Sequence, residues 1–133
     1  MFRRSAVYVI FLLIPFLSIE CSPSAGVQVK LSGEDTSSTI DIVVGDTLEI
    51  VLKGNPTTGY MWEVASVDTT VLSQVCEPEF RPKSDARGSG GKIIMRFEAV
   101  SVGHTLLKLI YHRPFEKNKP PIRVFSVTVI VKR

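Results

Sequence analysis

The chain has 133 residues, a length typical of a single domain, and 44% of them are hydrophobic while 22% are charged. A chain of this composition folds around an apolar core. Its formal net charge of +3 is too small to indicate a nucleic-acid partner, and we expect none.

The N-terminal 25 residues have the layout of a secretory signal peptide. Arg3 and Arg4 precede an apolar run from Ala6 to Leu17, and small residues follow it. The run is shorter than the roughly 20 apolar residues of a membrane-spanning helix. We therefore predict a cleaved signal peptide at 1–25 and a mature domain at 26–133 that is not bound to a membrane. The protein would enter the secretory pathway and be secreted or held in a vesicle or periplasm. An uncleaved anchor is the alternative.

The two cysteines are Cys21, at the end of the predicted signal peptide, and Cys76, inside the domain. A disulfide between them requires that Cys21 is retained. Glu20 is unlike the small residue that precedes the cysteine of a lipoprotein signal, so a lipid anchor is the less favoured interpretation. We predict that Cys76 is a small buried residue with a free thiol.

Alternation of apolar and polar residues at a period of two predicts strands along the mature chain, and no segment has a convincing helical period. The clearest runs place these residues on one face each: Leu48, Ile50 and Leu52; Ile93, Met95, Phe97 and Ala99; Phe125, Val127, Val129 and Val131. Weaker candidates are 27–31, 40–44, 60–67, 71–76 and 105–111. About eight short strands separated by turn signals predict an all-β, immunoglobulin-like β-sandwich, with Trp62 and Phe97 in its core.

Three connections between these strands carry unusual residues. They read Gly54-Asn55-Pro56-Thr57-Thr58-Gly59-Tyr60, Gly88-Ser89-Gly90-Gly91 and Tyr111-His112-Arg113-Pro114-Phe115. In the first, Pro56 fixes one φ angle and Gly59 permits a positive φ, so we expect a stiff loop with two threonine hydroxyls left at its tip. Taken singly, the three segments are also consistent with a well-made turn, a flexible connector and a contact at the rim of the core.

Taken together and in this order, the three segments resemble the chagasin family of cysteine protease inhibitors. The first, with Trp62 two positions after Tyr60, is close to the family pattern of Asn-Pro-Thr-Thr-Gly-aromatic followed by a tryptophan, and the match extends over Val27 to Arg133. The third departs from it, because Phe115 stands where the family usually has tryptophan. Phenylalanine keeps the apolar ring but lacks the indole N–H donor, which puts affinity and target preference in question.

The resemblance implies an immunoglobulin-like sandwich whose three loops, all at one end, enter the cleft of papain-like, cathepsin-like cysteine proteases. Inhibition would be reversible, tight and competitive, without cofactor, metal or catalytic residues in the inhibitor. Thr57 and Thr58 would lie over the catalytic cysteine and histidine, with Pro56 and Gly59 setting the turn. No disulfide is implied.

The other two loops would contact the walls of the cleft. Gly88, Gly90 and Gly91 would let the inhibitor backbone approach that of the enzyme and pair with it. Arg113 and Phe115 would contact the opposite side.

Two other functions are conceivable. An enzyme would need His104, His112 and Cys76 as a catalytic or metal-binding group, but these residues have neither close ligand spacing nor a nucleophile signature, so we predict no enzyme. The better alternative is an immunoglobulin-like adhesion or surface-binding module without inhibitory activity, since a fold alone does not decide function. Such a module has no reason to carry all three motifs. We expect a monomer.

Overall fold

The computed structural model describes residues 26–133 of the chain. They contain nine strands and two short 3₁₀ turns. The predicted signal peptide at 1–25 and Cys21 lie outside the described residues. The strands are β1 Gln28–Ser32, β2 Ser38–Val43, β3 Thr47–Gly54, β4 Met61–Ser66, β5 Leu72–Gln74, β6 Glu79–Pro82, β7 Gly91–Ala99, β8 Gly103–His112 and β9 Arg123–Lys132. The 3₁₀ turns are Gly33–Asp35 and Pro56–Thr58.

The strands form two sheets. One has the order β1-β3-β7-β5, with β6 also paired to β7, and the other has the order β2-β9-β8-β4. β1 is parallel to β3 and β2 is parallel to β9, whereas the remaining pairs are antiparallel. Buried side chains of both sheets form one hydrophobic cluster. The predicted all-β sandwich is therefore confirmed.

The core follows the predicted alternation closely. Every apolar residue that the three clearest runs assign to an inward face is buried, and Phe97 and Phe125 are among the largest of them. Trp62 is also buried, and its indole Nε1 donates a hydrogen bond to the carbonyl of Lys53 at 3.0 Å. Ile94 differs from the prediction, because it belongs to the outward face of β7 and is nevertheless buried.

β6 is the strand that the sequence pattern did not predict. Its run, Glu79–Pro82, has one large apolar side chain, Phe80, and ends in proline, so it shows no alternation that predicts a strand. In the structure it pairs with β7, with Glu79 opposite Ile94. That pairing explains why Ile94, between two neighbouring strands, is covered.

Cys76 lies half-buried between β5 and β6 and is disulfide-bonded. The prediction of a buried free thiol is therefore wrong. The sequence contains one other cysteine, Cys21. Among residues 26–133, no helix is long and apolar enough to cross a membrane.

Candidate functional site

The sheet topology brings the three unusual connections to one end of the sandwich. The first loop, 55–60, follows β3; the second loop, 83–90, follows β6; and the third loop, 113–122, follows β8. β7 is antiparallel to both β3 and β6. The end of β3, the end of β6 and the start of β7 therefore lie at the same end of the sheet. β8 is antiparallel to β4 and β9, which places the end of β8 beside the starts of both strands.

Side chains of the first and third loops join all three loops directly. Asn55 Nδ2 donates a hydrogen bond to the carbonyl of Gly88 in the second loop at 3.0 Å. Arg113 Nε in the third loop donates to the carbonyl of Thr58 in the first loop at 3.0 Å. The first loop is therefore held on both sides, and the three predicted segments lie together at one end of the sandwich.

The first loop is also closed by its own hydrogen bonds. Pro56, Thr57 and Thr58 form a 3₁₀ turn capped by Asn55, whose Oδ1 accepts from the Thr57 amide at 3.1 Å. The Thr58 amide donates to the Asn55 carbonyl at 3.2 Å, and the Gly59 amide donates to the Pro56 carbonyl at 3.1 Å. Three consecutive amides are thus bonded within the loop, as expected for a stiff turn.

Both threonine hydroxyls at the tip use their proton inside the loop. Thr57 Oγ1 donates to Asn55 Oδ1 at 2.6 Å, and Thr58 Oγ1 donates to the Asn55 carbonyl at 2.7 Å. The sequence suggested two uncommitted hydroxyls. Although both residues are exposed, what they offer to a partner is oxygen lone pairs and methyl groups.

Gly59 is required for two independent reasons. Its φ of +81° lies in the left-handed region that side chains disfavour. A Cβ at this position would also lie 3.1 Å from a ring carbon of Phe115. The tip of the first loop therefore packs against the third loop through a glycine that leaves room for the phenylalanine ring.

The glycines of the second loop have different roles. Gly88 has a φ of +77°, and a Cβ added to it would meet nothing within 4 Å, so its surroundings are open. Gly91 is the first residue of β7 and already pairs with Gly54 on one side and Pro82 on the other. A Cβ on Gly91 would collide with the backbone of β6. The lack of a side chain at Gly91 therefore allows the strands to pack within the sheet. The exposed residues of the second loop precede Gly91 in the chain.

Arg113 supports the first loop from within the molecule. Its guanidinium lies 4.3 Å from the centre of the Tyr60 ring, and its NH1 donates to Glu116 Oε1 at 3.0 Å. Together with the hydrogen bond to Thr58, these contacts use N–H donors of Arg113 that were expected to contact the protease. Pro114 and Phe115 next to it are exposed, and Phe115 is 70% exposed.

The pairing of Arg113 with Glu116 depends on the ionisation of the glutamate. The hydrogen bond from Arg113 lowers the pKa of the Glu116 carboxyl below its usual value. A carboxyl with a lowered pKa is ionised, and its pairing is present, at pH values above that pKa; the pairing is lost as the pH falls through it. The contact should therefore be lost at a lower pH than that at which an unperturbed glutamate titrates.

Tyr111, the first residue of the third segment, supports the first loop in a way that the sequence did not indicate. Its hydroxyl oxygen accepts a hydrogen bond from the Asn55 amide at 2.9 Å, and its ring lies 5.1 Å from Trp62 and 5.4 Å from Tyr60. It therefore fixes the base of the first loop. An aromatic residue at the end of an alternating strand was the available signal, but its partner is 56 residues away in the sequence.

The two histidines that an enzyme would need lie far apart. His104 and His112 lie near opposite ends of β8, which places them roughly 26 Å apart at the usual rise of a strand. His112 Nε2 pairs with Glu63. No cluster of three potential metal ligands occurs in the described part of the chain.

Comparison with known proteins gives consistent results. The model of the chagasin family peptidase inhibitors, I42, matches residues 41–129, which contain all three loops. Amoebiasin-2 of Entamoeba histolytica is 31% identical over 119 residues, covering 88% of this chain and 96% of amoebiasin-2. The crystal structure of the cysteine protease inhibitor EhICP2 from the same organism matches with a TM-score of 0.69 and 27% identity over 81% of this chain and 98% of that one.

PbICP-C, whose structure was solved in complex with falcipain-2, matches with a TM-score of 0.58 over 80% of this chain and all of its own, at 20% identity. At that identity the likeness shows a shared fold. The immunoglobulin-like sandwich is thus confirmed, and the chain is an inhibitor rather than an enzyme. It belongs to the chagasin family of peptidase inhibitors.

Proposed function

We propose that this protein is a reversible, competitive inhibitor of papain-like cysteine proteases and that its three loops enter the active-site cleft together. The observation that carries the proposal is the closed and braced first loop. Pro56, Thr57 and Thr58 are exposed at its tip, while hydrogen bonds from Asn55 to the second loop and from the third loop to the Thr58 carbonyl brace it on both sides. Family membership and the structural relative solved with falcipain-2 support this kind of target.

The first loop can fill a cleft without being cut there. A protease must hold its substrate extended, with the scissile carbonyl over the catalytic thiolate. The amides of Thr57, Thr58 and Gly59 are already bonded within the turn, so this segment cannot extend without losing them. Because the turn exists before binding, little conformational entropy is lost on association.

The direct test is inhibition kinetics with the purified mature protein against papain and a panel of related proteases. We expect the apparent inhibition constant to rise linearly with substrate concentration, as in competitive inhibition, and the intact mass of the inhibitor to stay unchanged after long incubation. Trypsin should be unaffected. Progressive cleavage, or no inhibition of any papain-like enzyme at micromolar concentration, would contradict the proposal. Size-exclusion chromatography should show a monomer.

We also propose that the protein is delivered through the secretory pathway. The predicted signal peptide supports this route, and a disulfide at Cys76 fits an oxidising compartment. Cys21 is the other cysteine of the sequence, so a bond within the chain requires that Cys21 is retained, which cleavage after residue 25 would not allow. The mass of the secreted protein, measured with and without reduction, would show whether Cys21 is retained and paired with Cys76.

A further inference from the structure

A groove of about 760 Å³ opens at the loop end of the sandwich. Its walls include Asn55 of the first loop and Gly90 of the second loop. Five positively charged side chains line it, and no aspartate or glutamate does. We call it the basic groove, and its cations are Lys53, Arg81, Lys83, Lys92 and Arg123.

Most of these charges have no counter-ion in the described part of the molecule. Arg81 pairs with Glu79 at 3.2 Å, and Glu79 is shared with Arg96. Arg123 lies over the ring of Tyr111 at 5.6 Å. Within residues 26–133, the three groove lysines and Arg123 form no ion pair. Positive charge is therefore concentrated in the groove, which the small net charge of the whole chain does not reveal.

The placement of these charges is unfavourable for folding alone. Lys53 is directly opposite Lys92 on the neighbouring strand, and Lys92 is directly opposite Arg81 on the next. Like charges directly opposite each other destabilise a sheet. A row of three cations across three strands is therefore better explained by a negatively charged partner than by the stability of the sandwich.

We propose that the basic groove receives an acidic segment at the rim of the target protease's cleft and accelerates association with targets that carry one. The groove shares Asn55 and Gly90 with the first two loops, so an enzyme that holds those loops brings its cleft rim over the groove. Charges of opposite sign beside an interface increase the association rate more than they slow dissociation. This inference rests on the proposed inhibition and adds a preference among its targets.

Two variants with the same loss of charge test the inference. The groove variant is Lys53→Gln/Lys83→Gln/Lys92→Gln. The control variant, Lys30→Gln/Lys108→Gln/Lys132→Gln, also removes three positive charges, from exposed positions outside the groove. Association and dissociation rates are measured by stopped flow and surface plasmon resonance. The probes are two papain-like proteases that the wild type inhibits, one of net negative and one of net positive charge.

For the net-negative enzyme, we expect the wild-type association rate to fall about tenfold between roughly 30 and 300 mM NaCl. The groove variant should associate about tenfold more slowly at low salt and show little salt dependence, while the control variant should behave like the wild type. Dissociation rates should change less than twofold. The melting temperature of the groove variant should stay the same or rise, because the like-charge row is removed.

Several outcomes would overturn the inference. Equal losses in both variants would mean that net charge alone matters, and unchanged rates in the groove variant would mean that the groove makes no contact. Loss of retention on immobilised heparin with unchanged protease association would assign the groove to a sulfated polysaccharide instead. In each of these cases inhibition persists, whereas a wild type that inhibits no papain-like protease would refute the proposed function itself.

Discussion

The first and second loops lie side by side but differ in how far they are exposed. In the first loop, the amides of Thr57, Thr58 and Gly59 and both threonine hydroxyls are hydrogen-bonded inside the loop. The second loop also has internal bonds, from the Ser89 hydroxyl to the Ser84 carbonyl at 3.0 Å and from the Ser89 amide to the Ala86 carbonyl at 3.2 Å. Its residues 83–88 are nevertheless all exposed, and Gly88 has open space around it. We therefore expect the first loop to keep its shape on binding and the second loop to adjust more readily to the surface it meets.

This difference assigns different tasks to the two loops. A fixed turn supplies the geometry that blocks a cleft, because it is present before binding and does not have to be ordered. An exposed segment with open space around it tolerates variation in the opposing wall. The third loop belongs with the first, since Arg113 and Phe115 both pack against it.

The largest effect should come from Gly59→Val. A β-branched residue is strongly disfavoured at φ +81°, and its side chain would meet the Phe115 ring, so the turn must re-form in another shape. We expect inhibition to weaken about 100-fold or more, which corresponds to roughly 2.7 kcal/mol. Circular dichroism and the melting temperature should stay near wild type, because the change is confined to an exposed end.

Gly88→Val is the matched control, since Gly88 also has a positive φ, of +77°. In the open second loop the backbone can relax, and we expect less than about a fivefold loss of inhibition. Equal losses for the two variants would remove the distinction between the loops.

The second largest effect should come from Arg113→Ala, which removes the hydrogen bond to Thr58 and the contact with the Tyr60 ring. Hydrogen bonds to charged groups contribute about 1.5 to 3 kcal/mol, so we expect inhibition to weaken about thirtyfold. Arg113→Lys should recover little, because lysine cannot serve Thr58 and Glu116 with one planar group. Lys117→Ala, in the same loop, removes a charge without removing the support, and it should inhibit normally.

Phe115→Ala should have a smaller effect, about tenfold, and mainly on the dissociation rate. The ring is 70% exposed in the free protein, so it offers apolar area that a partner can cover. Phe115→Trp should slow dissociation from at least some targets, since it adds area and an N–H donor. Faster dissociation of Phe115→Trp from every target would show that the third loop is not in contact as proposed.

The smallest effect should come from single truncations at the tip. A hydrogen bond contributes about 0.5 to 1.5 kcal/mol net, so Thr57→Ala or Thr58→Ala should weaken inhibition less than tenfold. The corresponding serine variants keep the hydroxyl and should inhibit like the wild type. If a single threonine truncation abolished inhibition while Gly59→Val did not, hydroxyl chemistry rather than shape would be the basis of inhibition.

Much of the fold could be predicted because burial leaves a local trace in the sequence. β3, β7 and β9 alternate apolar and polar residues over their length, and each lies against the core as predicted. β6 left little trace, because one side chain of this short strand, Phe80, packs against the core. The disulfide at Cys76 was predicted wrongly, since the spacing of two cysteines does not show whether they pair.

The site was predicted in its residues but not in its internal contacts. Proline and glycine signal a turn through their own backbone preferences, so the first loop could be found from sequence. The roles of Arg113 and Tyr111 depend on partners 55 and 56 residues away. Such contacts are set by the topology of the two sheets, and no local pattern reports them.

The most direct test of a preformed inhibitory turn is the mobility of the loops in the free protein, measured by NMR relaxation of backbone ¹⁵N. We predict that residues 57–59 have order parameters near those of the strands, about 0.85, and that residues 84–88 fall below about 0.6. On binding to an inactivated papain-like protease, the second loop should become ordered while the first loop stays as it was. A first loop that is as mobile as the second when free, and becomes ordered on binding, would contradict the claim that a preformed turn carries the inhibition.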